Sequence, residues 1–115
     1  MAVRDEYEHN RMIEIKAIIE SIKADRIWIT DHADEEANNE LISLKKARES
    51  ISIGEIIEQY PDDKPYPSCL IFSRLENGDP IHTVWAFNKE MNSSVLITMY
   101  RPDPQKWIDN KIRRT

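Results

Sequence analysis

The sequence predicts an α+β fold in which three N-terminal helices pack on a four-stranded antiparallel sheet. Three observations carry this. Helical periodicity is confined to the first half of the 115-residue chain. Four runs rich in β-branched and aromatic residues then follow one another between Gly54 and Trp107, with only short turns between them. Gly54 stands where the period changes from helix to strand.

In the helical half, Met12, Ile15, Ile19 and Ile22 recur at steps of three, four and three, with Ile18 beside them and Tyr7 at the edge. That is one apolar stripe on a helix from about Asp5 to Ala24, since residues three and four apart share a helix face. Ile27-Trp28-Ile29 is too short for a helix. Thr30 or Asp31 then offers an N-cap oxygen for a second helix running through His32 to about Asn39, where Asn38-Asn39 ends it. Ser43 caps a third helix with Leu44, Ala47 and Ile51 facing inward.

The strand runs are 55–60, 68–74, 81–87 and 95–101. Between the first two, residues 60–67 hold three of the six prolines, which fix φ and remove backbone donors, so the segment is a stiff connector. Glu76-Asn77-Gly78-Asp79 contains Asn-Gly, the strongest short hairpin signal. A type I′ turn there sets Glu76 opposite Asp79 and pairs Ser73 with His82, Ile71 with Val84 and Cys69 with Ala86 on one face. Phe72, Thr83, Leu70 and Trp85 share the other. Both faces are apolar at their centres, so both call for cover, helices on one side and a subunit or ligand on the other. After the prolines of Arg101-Pro102-Asp103-Pro104, Trp107 starts a short C-terminal turn as an apolar anchor, and residues 108–115 form a tail.

Composition bounds the function. At 13.6 kDa the chain is one domain, with a first helix in residues 1–25 and a core in 26–107, large enough to fold without staples. The single Cys69 lies in an apolar run and reads as a buried, inert thiol, which fits a reducing, cytoplasmic setting. No apolar stretch reaches membrane-spanning length, and the N-terminus lacks the apolar core of a secretion signal. The net charge of −5 argues against a broad nucleic-acid footprint. Residues 1–60 carry 14 acidic and 8 basic side chains and residues 61–115 carry 7 and 8, so a polyanion would meet the sheet half. The basic tail residues Lys106, Lys111, Arg113 and Arg114 read as a solvated terminus.

Ile29-Thr30-Asp31-His32-Ala33, Ile42-Ser43, the run 54–61, the run 66–71, Pro80-Ile81-His82-Thr83-Val84 and the run 97–103 together resemble the family of prokaryotic proteins defined by the domain of unknown function numbered 4258. The resemblance spans about Ile27 to Trp107 and implies kinship with the small RelE/ParE-type toxin fold, helices on a curved antiparallel sheet. That wider group includes messenger-RNA ribonucleases and gyrase inhibitors. Where the family pattern follows its His-Ala with Arg-Met and a further Arg, this chain has Glu36-Ala37 and Asn38-Asn39. Phosphate chemistry needs cations to stabilise developing charge, and Asp34-Glu35-Glu36 would repel RNA.

The residues that can carry acid–base chemistry are His32 and His82, the side chains that titrate near neutrality without perturbation, together with Tyr100. Arg74 and Arg101 suit bidentate phosphate or carboxylate recognition, and Thr98 offers a hydroxyl. The structural alternatives are a His82 imidazole hydrogen-bonded across the sheet, a His32 in the first turn of a helix, and Tyr100 and Arg101 closing a strand by packing. A metal reading would use His32 and Glu36 one turn apart, but spacing places only two ligands, and neither metal nor cofactor is expected. Two function classes follow: a non-catalytic module that pairs with a protein or with itself, favoured by the acidic balance, and a toxin-like, RNA-directed ribonuclease or translation inhibitor with His32 and His82 as acid and base.

Overall fold

The structure, a computed structural model, describes residues 11–115. The part of the expected first helix before Arg11, with its start at Asp5 and Tyr7 at its edge, lies outside the described residues. Within them helix α1 spans Ile15–Lys23, with extended backbone at its N-cap Glu14. Met12 therefore precedes the helix and is 46% exposed, while Ile15, Ile18, Ile19 and Ile22 form the apolar stripe. Helix α2 (Asp31–Glu40) is capped by the Thr30 hydroxyl, which accepts from the Ala33 amide. It ends at Leu41 in the left-handed region, φ 56°, with the Ile42 amide returning to the Ala37 carbonyl, and not at Asn38-Asn39. Helix α3 (Leu44–Glu49) is capped by Ser43 and tightens into a 3-10 turn, Ser50–Ile53. The close approach at Gly54 explains its residue type: a Cβ there would lie 2.9 Å from Ile71 Cγ2 and 3.1 Å from the Phe72 carbonyl.

The main sheet has five strands where four were expected, and it is mixed. Strands β2 (Glu55–Tyr60), β3 (Ser68–Arg74), β4 (Pro80–Asn88) and β5 (Ser93–Tyr100) are antiparallel neighbours. The fifth strand is β1 (Ile27–Ile29), which lies parallel to β5 at the far edge, giving the order β1-β5-β4-β3-β2. Three β-branched and aromatic residues cannot nucleate a helix but can pair along an existing strand, and the Arg26 carbonyl and Thr30 amide extend that pairing.

The β3–β4 register differs by one residue from the expected one. Phe72 faces His82, Leu70 faces Val84 and Cys69 faces Trp85. Asn77-Gly78 is the turn, but the loop is longer than a two-residue I′ connection: the Gly78 amide donates to the Leu75 carbonyl and the Leu75 amide to the Asp79 carbonyl, with Gly78 at φ 93°. A one-residue slip reverses faces. Cys69, Ile71, Ile81, Trp85, Leu96 and Met99 consequently point to the helices, where they join Ile18, Ala33, Ala37, Ala47 and Ile51 in the core. His82 stands with Phe72, Leu70, Val84 and Tyr100 on the opposite face.

That opposite face is covered by the chain's own C-terminus. Trp107–Ile108 (β6) and Ile112–Arg113 (β7) form a second, two-stranded sheet. Asp109 and Asn110 both have positive φ, 51° and 66°, and the Lys111 amide closes the turn on Ile108, as a type I′ connection requires. The expected tail is thus a hairpin, exposed over residues 111–115, and two of its four cations are paired: Lys111 lies 2.6 Å from Glu55 and Arg113 lies 2.9 Å from Glu58.

Candidate functional site

The polar cluster beneath this hairpin is built from three strands. Tyr100 of β5 and His82 of β4 are directly opposed, and Glu58 and Tyr60 come from β2 on the same face, opposite Leu70 and Ser68. A bulge at Ile57 keeps Glu58 on this face, since without it alternation would turn Glu58 toward the helices. His82 is fully buried. Its Nε2 lies 2.5 Å from the Asn110 carbonyl, which only accepts, so Nε2 carries the proton, and Nδ1 accepts from the Tyr100 hydroxyl at 3.2 Å. Three rings surround the imidazole edge-on, with centroids of Trp107 at 4.5 Å, Tyr100 at 5.2 Å and Phe72 at 6.2 Å.

Burial lowers the His82 pKa below its ordinary value, against an opposing pull from the Asn110 carbonyl and from Glu58, so the ring is held neutral. The hydrogen bonds from Arg113 hold the Glu58 carboxyl below the usual range, and Tyr60 donates to the same carboxylate. Burial first, then the Glu58 contact, pushes the Tyr60 phenol up, and burial also raises Tyr100. Arg113 closes the site from above, its guanidinium 4.5 Å from the Trp107 ring centre. Chemically this is a neutral imidazole with both nitrogens in use, next to an ionised, paired carboxylate.

Of the residues singled out from sequence, the structure brings His82 and Tyr100 together. His32 is elsewhere: it sits on the exposed side of α2, in the helical layer, while His82 faces away from that layer. Its nearest carboxylate is Glu36 at 3.9 Å, and among the described residues no three His, Cys, Asp or Glu side chains converge as a metal site. Arg101 is held by Asp79 at 2.9 Å, Glu40 at 3.6 Å and the Glu40 carbonyl at 3.1 Å, tying the end of α2 to the β3–β4 turn. Arg74 bonds the Gly78 carbonyl and lies 5.4 Å from the Phe72 ring centre, at the rim of the cluster. Thr98, opposite Val84, shares the His82 face. Cys69 is buried on the helix side with its thiol pushed up to about 12 by burial, an inert group that the sheet separates from His82.

Glu58, Tyr60, Asn110 and Arg113 belong to the cluster and were not among the candidates read from sequence. One signal for them existed. Asp109-Asn110, between Ile108 and Ile112, has hairpin-turn chemistry, and a hairpin there folds the last residues back along Trp107; the observed register pairs Trp107 with Arg113.

Among the described residues no helix is long and apolar enough to cross a membrane. No curated protein and no solved structure matches the chain. The model of one family matches residues 29–101, from the strand β1 to the arginine that follows β5, and on that match the chain belongs to the family described as Domain of unknown function (DUF4258).

Proposed function

We propose that this protein is a non-catalytic protein-interaction module, built on a fold related to the RelE/ParE-type toxins and acting in the cytoplasm by pairing with a protein partner or with itself. The observation that carries the reading is the state of His82. An acid–base group must reach its substrate, and this imidazole is fully buried with both nitrogens bonded inside the chain. Two of the cations that would meet RNA are likewise occupied, Arg101 by Asp79 and Glu40 and Arg113 by Glu58.

The test has two arms. The purified protein is incubated with RNA at low salt, and it is co-expressed with the products of the reading frames flanking its gene and sized by light scattering. A stable complex or dimer without RNA cleavage is the expected outcome. RNA cleavage that His82→Gln abolishes would replace this reading with the RNA-directed one. One observation favours that second reading: Glu58, Tyr60, His82 and Tyr100 do converge on one sheet face. It requires the C-terminal hairpin to lift.

A further inference from the structure

The helical layer carries an open groove of about 440 Å³ between α1 and α3. Its floor is apolar, made by Ile19, Ile22 and Ile51. Ile51 is fully buried in the core, whereas Ile19 and Ile22, one turn apart on α1, are packed against the core on one side and keep open surface on the other. The rim is cationic, with Lys23, Lys45 and Arg48 against the single carboxylate of Glu49. In a chain of net charge −5 this is a local reversal of sign. Arg48 approaches Asp25 only at 3.9 Å, and neither Lys23 nor Lys45 makes an ion pair among the described residues.

We propose that this groove docks an acidic amphipathic segment of a protein partner, apolar side chains seated on Ile19 and Ile22 and carboxylates against Lys23, Lys45 and Arg48. The inference rests on the interaction reading above and assigns its partner chemistry. Charge complementarity selects the occupant. A nucleic acid would meet the cations but has no use for an isoleucine floor beside Glu49. A second copy of this chain offers α2 as its acidic helix, yet the apolar residues of α2, Ala33 and Ala37, are buried in its own core. A foreign helix or strand with an apolar stripe and acidic flanks satisfies both parts of the groove.

The test uses the full chain and a fluorescein-labelled synthetic peptide with leucines at helical spacing and glutamates elsewhere. A scrambled peptide of the same composition and a lysine-for-glutamate version serve as controls. Anisotropy gives affinity and backbone amide shifts give location. Binding of the glutamate peptide, shifts confined to α1 and α3, and at least a tenfold loss in Lys23→Glu/Lys45→Glu are expected, because both lysines are exposed and can be reversed without disturbing the core. Equal binding of the scrambled peptide, unchanged affinity in the double variant, displacement by a uridine oligonucleotide, or shifts on another face would each overturn the proposal. The two readings fail separately. If the double variant still forms the complex or dimer of the wild type, the groove assignment falls alone; if the wild type forms none, the interaction reading falls as well.

Discussion

Trp107→Ala tests whether the C-terminal hairpin is a structural cover. The indole is 4% exposed, packs edge-on to His82 at 4.5 Å and lies under the Arg113 guanidinium. Truncating a buried Trp to Ala costs about 3–5 kcal/mol in a rigid core. The site here is a two-stranded hairpin that can partly collapse, so the low end applies, about 3 kcal/mol, of which about 1 kcal/mol is the ring-on-ring and cation–π contribution that Trp107→Leu would also lose. Urea melts followed by far-UV circular dichroism give the loss. The same variant makes a second, independent measurement possible. With the indole gone, water reaches His82, and its pKa should return upward toward 6.5 in the imidazole proton resonances. A variant that melts with the wild type, or a wild-type His82 that already titrates at its ordinary value, would refute the account of a sealed imidazole. If RNA cleavage appeared only in this variant, the hairpin would be a cover over an RNA-directed site.

His82→Gln should cost about 2 kcal/mol, since Gln cannot reach both the Asn110 carbonyl and the Tyr100 hydroxyl while filling a space bounded by three rings; a melt within error of wild type would contradict the burial. The His82 pKa is lowered on folding, so the unfolded chain takes up the proton first: stability is complete above about 6.5, is lost as pH falls through the window below it, and falls again below about 4.5 as Glu58 protonates. Thermal melts between about pH 7 and 5 should therefore be flatter for the Gln variant, and parallel curves would exclude His82 as the source. Gly78→Ala should lose about 1 kcal/mol by strain alone, because φ is 93° and a Cβ there meets nothing within 4 Å; coincident denaturant midpoints would refute the turn assignment. Arg101→Ala should cost about 1 kcal/mol, half-exposed as its ion pairs are, and the difference from wild type should shrink in high salt; a salt-independent difference would make its role packing alone.

Local signals in the sequence determined the apolar face of α1, the N-caps of α2 and α3 and the turn positions, though not where α1 begins or where α2 and α3 end. The Ile15–Ile22 stripe, the Thr30 and Ser43 hydroxyls, the Asn-Gly pair and the proline connector each act through neighbours a few residues away, and each is where the periodicity puts it. The pairing of His82 with Tyr100 on one face was within reach for the same reason, as alternation along adjacent strands carries that information. The tertiary structure decided what depends on distant segments meeting. Whether Ile27-Trp28-Ile29 is loop or strand turns on β5, sixty-odd residues away, offering a free edge. The β3–β4 register turned on one extra residue in the loop, which no composition shows and which reverses every side chain. His32 and His82 look equivalent in the sequence, but the sheet between their layers separates them. Arg113 meets Glu58 only because the last residues fold back over the first sheet strand of the hairpin series, 55 positions upstream, a contact that closes a long loop and leaves no local trace.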